Sequence, residues 1–387
     1  MPRIAFWGAT GRLYFKCLLL MESVILTARE LSAARCAWLL CALCCTGFVA
    51  IDRTAAADEL QPPPPLFASD DPLELAISGP LHTLLRDKSE EPEYREAILR
   101  FEDQSGRERE LGVELRPRGH SRRKPDVCKF PPLRLNFKKK ETTGTVFEGQ
   151  DKLKLVTHCR DGNARNAQYL FQEYLIYKAL NLLTENSFRV RLATIEYVDT
   201  DGRRKPVRAP GFLIEHEDEL AARRGLSVVD VQRIEAGELE PDATALLGVF
   251  QFMIGNTDWE VLGGPPGEPC CHNIVPFETG DDMYIPVPYD FDSTGVIDPP
   301  YAAPHESLKI RNVRTRLYRG FCRHAEQSRL ALADFESQRE AIYSLFRAQP
   351  GLEKKTIERS LAYFDGFYEV INDAGKLDRA IRQTCRE

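Results

Sequence analysis

GVFQFMIGNTDWEV (residues 248–261), GGPPGEPCCHNIVPF (263–277) and MYIPVPYDFDSTGVID (283–298) decide how this chain is read. An apolar run ends in Asn256, Thr257 and Asp258. A Gly/Pro-rich loop follows, then a short strand-like piece that opens with His272 and Asn273. A second strand-like piece delivers Asp290 and Asp292 at its end. A carboxylate, an amide and a carboxylate pair thus stand at the ends of adjacent elements. One Asp can take the proton of a hydroxyl, while Asn273, Asp290 and Asp292 offer oxygens for a divalent cation and its phosphate. If residues 289–292 are extended, Asp290 and Asp292 point to one face. Two carboxylates there repel unless a cation lies between them, which favours a metal site over an Asp-rich turn.

Upstream of this stretch the text changes period. LELAISGPLHTLLRD (73–87) reads as a strand followed by a turn, residues 95–101, 110–117, 132–138 and 152–156 read as strands, and Leu111, Val113 and Leu115 alternate with polar residues as one buried face requires. Residues 163–183 instead repeat apolar positions at three and four (Ala167, Leu170, Phe171, Tyr174, Leu175, Ala179, Leu182), which predicts a long helix capped by Asp161 or Asn163. Strands over 189–197 and 207–215 flank a turn at Asp201-Gly202. Past Ala221 the pattern is helical: a short piece at SVVDVQRIE, then PDATALLGVFQFMIGN capped by Asp242, and periodic runs over 330–346 and 357–371. Sheet first and helices second predicts an α+β arrangement.

Several side chains outside the central stretch carry chemistry. RPRGHSRRKPDVCKF sets Arg116, Arg118, Arg122, Arg123 and Lys124 around Gly119, either a phosphate-wrapping loop or a solvated hairpin. Arg134 lies between Leu133 and Leu135, so it faces away from them, and Lys154 sits in an equally regular LKL strand. One of these two is the candidate phosphate-binding cation. Glu173, polar amid apolar helix neighbours, either pairs with that cation or lies on a solvated face. His272 reads as a structural hydrogen-bonder and Trp259 as packing.

The ends and the composition bound the setting. The 387 residues carry a net charge of -6, which gives no electrostatic footprint for nucleic acid. Residues 36–51 (CAWLLCALCCTGFVAI) form an uncharged apolar run after Arg29 and Arg35, followed by Ala55-Ala56-Ala57. The run is of signal-peptide length and short of the roughly 20 residues a membrane span needs. Export to the periplasm or the extracellular space is the expectation, with no stable span in the mature chain. Of the 11 cysteines, Cys128, Cys159, Cys270, Cys271, Cys322 and Cys385 lie beyond this leader, and an exported chain permits their pairing. The expected divisions are residues 1–57 (extension and signal peptide), 58–72 (a flexible proline-rich linker), 73–220 (sheet-rich) and 221–387 (helical, with the catalytic and metal motifs).

The order of these motifs resembles the CotH family of spore-coat kinases and, more distantly, HipA-type kinases. Arg118-Gly119-His120-Ser121, the LRLNF strand at 133–137, Arg165-Asn166, the FLIE run ending at Glu215, Asn256-Thr257-Asp258, Asn273 and Asp290-Phe291-Asp292 stand in the family's order. Two features depart from it: Trp259 replaces the usual Arg after the catalytic Asp, and GGPPGEPCC widens the gap to Asn273. The resemblance implies a protein-kinase-like two-lobed fold, with a sheet-rich N-lobe and a helical C-lobe. It implies transfer of phosphate from ATP or another nucleotide to a protein or cell-envelope hydroxyl with Mg2+ or Mn2+. Asp258 would orient or deprotonate the acceptor. Asn273, Asp290 and Asp292 would hold the metal. Arg118, Arg134, Lys154 and Glu173 would serve the phosphates, and Glu215 would mark the adenine-side hinge. The alternative is a catalytically inactive envelope protein that uses the same cleft to bind a partner.

Overall fold

A computed structural model describes residues 64–103 and 105–387. The leader, its cleavage site and the first part of the proline-rich linker lie outside the described residues, as does Gln104 of the expected turn. From Pro65 onward the linker is not free. A short turn at Pro65–Phe67 buries Leu66 completely, and Arg191 donates to its carbonyl at 2.9 Å.

The strands read from alternation exist, and they close on themselves. β1 (Leu73–Gly79), β2 (Arg95–Glu102), β3 (Glu108–Pro117), β4 (Leu133–Phe137), β5 (Lys152–Val156), β6 (Val190–Asp199) and β7 (Val207–Ile214) form a closed barrel in the order β1-β2-β3-β4-β5-β7-β6. All neighbours are antiparallel except β1 and β6, which run parallel with Leu73 opposite Ala193 and Gly79 opposite Asp199. Alternate residues point inward: Leu75, Ile77, Leu99, Leu115, Leu133, Leu135, Leu153, Leu155 and Ile195 fill the barrel. α1 (Leu81–Arg86), absent from the sequence reading, adds Leu81, Leu84 and Leu85 to that core.

This closure overturns the two-lobed protein-kinase-like fold. The first half is a seven-stranded mixed barrel, and the second is a helical region. The long helix α2 (Ala164–Leu183) begins where Asn163 accepts from the backbone of Arg165 and Asn166. It does not belong to the sheet alone. Its Leu170, Tyr174 and Tyr177 share one core with Val249, Phe250, Phe291, Phe364 and Phe367.

In the helical region, α3 (Glu217–Arg224) precedes a two-residue strand β8 (Ser227–Val228), so SVVDVQRIE is not the helix expected of it. α4 (Pro241–Ile254) has Pro241 in its first turn and is capped by Glu240, two residues before the expected Asp242. β9 (Ile274–Glu278) and β10 (Tyr284–Pro288) form a hairpin that joins β8 in a small sheet. α5 (Ala325–Ala348) and α6 (Lys354–Ile371) complete the packing around α4. The six cysteines form three disulfides, Cys128–Cys159, Cys270–Cys271 and Cys322–Cys385. No helix among the described residues is long and apolar enough to cross a membrane.

Candidate functional site

Asp258 stands in a loop tied down from both sides. α4 stops at Gly255, whose left-handed φ of 68° caps the helix. Asn256 Oδ1 then accepts the backbone N–H of Asp258 at 2.9 Å, and the indole of Trp259, buried as expected, donates to the Asn256 carbonyl. Arg319 donates to the carbonyls of Thr257 and Trp259 at 2.7 and 2.6 Å. The turn is thereby fixed, while the Asp258 side chain stays 51% exposed.

A backbone bridge between Glu260 and His272 sets the register of the returning strand. It brings His272 Nε2 to 2.8 Å from Asp258 Oδ1 and Asn273 Nδ2 to 3.2 Å from Oδ2. Asn273 also donates to the Asp258 carbonyl at 2.7 Å. Burial works against the charge on Asp258, but the His272 and Asn273 bonds outweigh it and hold the carboxyl below its ordinary range. The reciprocal bond raises His272 above the ordinary imidazole value. The expected catalytic Asp and the expected Asn therefore touch.

Tyr289 N–H donates to the Asn273 carbonyl at 3.0 Å, which delivers Asp290 beside it. Asp290 takes a left-handed φ of 61°, and its N–H donates to Tyr177 Oη at 2.9 Å. Asp290 and Asp292 do share one neighbour, and it is Arg122. That guanidinium lies 2.5 Å from Asp290, 3.2 Å from Asp292, and 3.1 Å from Glu173. Tyr301 donates to Asp292 at 3.1 Å. Arg122 and Glu173 are both buried. Burial opposes the Arg122 charge, but Asp292, Glu173 and Asp290 together hold its pKa well above the ordinary value. One guanidinium cannot neutralise three carboxylates. Burial accordingly pushes Glu173 up to about 7 and raises Asp292 as well.

This answers which cation Glu173 meets: neither Arg134 nor Lys154, but Arg122. It also bears on a metal. A divalent ion between Asp290 and Asp292 would have to displace the guanidinium both already hold, and Asn273 turns its amide nitrogen toward Asp258. Among the described residues no group of three His, Cys, Asp or Glu side chains is placed to hold a metal ion. The donor set as arranged does not fit a divalent cation.

Several of the other basic residues gather beside this site; Arg123 does not, and donates instead to the Ser89 and Glu90 carbonyls. In the β3-β4-β5 ladder Arg116, Arg134 and Lys154 are successive cross-strand partners and share a face. Arg116 lies over the Tyr94 ring. Lys154 is buried, bonds Glu217 at 3.0 Å and lies 5.1 Å from the Tyr289 ring centroid. Burial lowers Lys154, partly offset by Glu217 and reinforced by Arg118 and Arg134. Arg118 follows β3, half-buried, and makes no ion pair among the described residues. Burial lowers its pKa too, against the pull of Asp290. Arg134 likewise makes no ion pair among the described residues. Glu215 directly follows β7 and is fully buried, held by Arg223 at 2.8 Å and by the Arg189 N–H at 3.0 Å. Its carboxylate staples β7 to α3.

The sequence reading named Arg122 only as one of five basic residues. The available signal was Glu173 itself, an acid on an apolar helix face that needs a buried cation, with two more acids to follow. No protein-family model matches this chain, and no curated protein matches it.

Proposed function

We propose that this chain transfers a phosphoryl group from a nucleotide, with ATP the first candidate, to a hydroxyl on a protein or cell-envelope acceptor. One observation carries the reading. Arg118, Arg134 and Lys154 crowd together with one ion pair among the described residues, Lys154 with Glu217, and with Asp290 linking Arg118 to the half-exposed Asp258–His272–Asn273 cluster. Cations gathered without enough anions favour an anionic ligand, and a polyphosphate carries charge enough to meet several of them at once. Asp258 and its partners then stand where an acceptor hydroxyl must be oriented and relieved of its proton. The order of motifs that resembles CotH-type kinases supports the same chemistry on this different fold. Export remains part of the proposal, and the three disulfides support an oxidising compartment.

A second reading has its own observation. Arg122 already holds both Asp290 and Asp292, which favours a protein of the cell envelope that binds a phosphorylated ligand and transfers nothing. Labelled ATP offered to the purified chain in Mg2+, in Mn2+ and in chelator separates the two. Transfer predicts binding that Arg118→Ala or Arg134→Ala weakens roughly 10- to 100-fold. It also predicts turnover that Asp258→Ala abolishes while sparing binding. Binding without turnover selects the second reading. No nucleotide binding under any of the three conditions ends the first.

A further inference from the structure

We propose that His272, through Nδ1, takes the proton of the attacking hydroxyl, and that Asp258 is the carboxylate that fixes the ring's tautomer; this rests on the phosphoryl-transfer reading. His272 Nε2 lies 2.8 Å from Asp258 Oδ1. An ionised carboxylate only accepts hydrogen bonds, so Nε2 carries the hydrogen and the neutral ring's lone pair falls on Nδ1. Nδ1 has no hydrogen-bond partner among the described residues and is not closed off from solvent. Both oxygens of Asp258, by contrast, already accept from protein donors, Oδ1 from His272 and Oδ2 from Asn273. Asp258 keeps further lone pairs, but a carboxylate tied to two protein donors is the weaker base, and the stronger open base in this cluster is the imidazole. Carboxylate, imidazole and hydroxyl in series is the arrangement by which a buried or half-buried acid makes a histidine the base.

The step balances. The hydroxyl proton moves to Nδ1 as its oxygen attacks the terminal phosphorus of a nucleoside triphosphate. The new P–O bond forms while the bond to the bridging oxygen breaks, and the nucleoside diphosphate leaves with that electron pair. Asp258 stabilises the imidazolium, which returns its proton to solvent through the same open nitrogen. The charged groups that face the ring are Asp258 from the loop after α4, Asp290 from the end of β10 and Glu268 from its own loop; Arg319 acts on Asp258 from the other side. The three acids favour the imidazolium, so the free base forms only as pH rises above the ordinary imidazole range.

Two measurements on the purified chain test this. Long-range proton–nitrogen NMR reads the tautomer and titration of His272. Turnover of ATP against pH, with water as acceptor, reads the base. The expected results are an Nε2–H tautomer and a titration above about 6.5 that falls in Asp258→Asn. Turnover should rise with pH through the same value. His272→Gln should lower it by roughly 10²- to 10⁴-fold, and added imidazole should restore part of it to His272→Gly. A proton on Nδ1 of the neutral ring overturns the proposal. So does a His272→Gln protein that keeps wild-type turnover and pH profile, which would leave phosphoryl transfer standing. If the wild type turns over no nucleotide, the transfer reading fails and takes this one with it.

Discussion

Arg122 has more anions than it can balance, and that imbalance sets how the site responds to mutation and to pH. Its guanidinium joins the turn after β3 to α2 and to the loop after β10 through Glu173, Asp290 and Asp292. Replacing it with Met leaves three carboxylates facing one another in a buried place. We expect Arg122→Met to lose about 3–5 kcal/mol in urea unfolding with disulfides intact. A loss below about 1 kcal/mol would mean the cluster is solvated after all. Glu173 gives the pH response. Unfolded, it ionises near its ordinary 4.5; folded, burial keeps its proton to about 7. Between those values the folded state binds the extra proton, so stability falls as pH rises through that window. Glu173→Gln should flatten the fall, a difference on the order of 1–3 kcal/mol between about pH 5 and pH 8. A variant with an unchanged slope would remove Glu173 as its source.

Element by element, periodicity told what each piece is and left open which pieces meet. Leu111, Val113 and Leu115 announce a half-buried strand, and the three-and-four spacing from Leu170 to Leu182 announces a helix; both are present. SVVDVQRIE misled because β-branched residues and charges in so short a run fit either period. The cap at Glu240 was hidden because Asp242 is the stronger residue type for that position, while Pro241 at the first helical position fixes the start. Close packing supplies a test at this scale. A Cβ on Gly211 of β7 would come within 2.9 Å of Ile195 Cδ1 and 3.0 Å of the Val156 carbonyl. We expect Gly211→Ala to cost about 1–3 kcal/mol, read as a lowered melting temperature. Gly255 is held more tightly still: its backbone is left-handed, and a methyl there would strike the Tyr363 hydroxyl. Gly255→Ala should therefore lower the melting temperature and also disturb Asp258, visible as loss of the His272 NMR shift on the Asp258→Asn comparison.

At the scale of the whole molecule, the closed barrel was illegible because β1 and β6 meet in parallel across a long stretch of chain, and such a pairing leaves no mark in the local pattern of either strand. The disulfides were illegible for a related reason: cysteine spacing does not encode partners. Their observed pairing orders their worth. Cys322–Cys385 spans a separation of 63 and Cys128–Cys159 one of 31, while Cys270–Cys271 joins neighbours. Chain entropy predicts losses of about 4, slightly under 4, and less than about 1 kcal/mol for paired Ser replacements. Urea midpoints in another order would show that something besides loop length governs them. The parallel seam has a further consequence for biogenesis. As the polypeptide leaves the ribosome, β1 can zip onto β2 at once, yet its opposite edge stays bare until Val190–Asp199 has been synthesised. For that interval the nascent chain presents an unpaired strand edge, the template on which neighbouring copies stick, so holdase protection during translation matters more for this chain than for one that closes its sheet with adjacent hairpins.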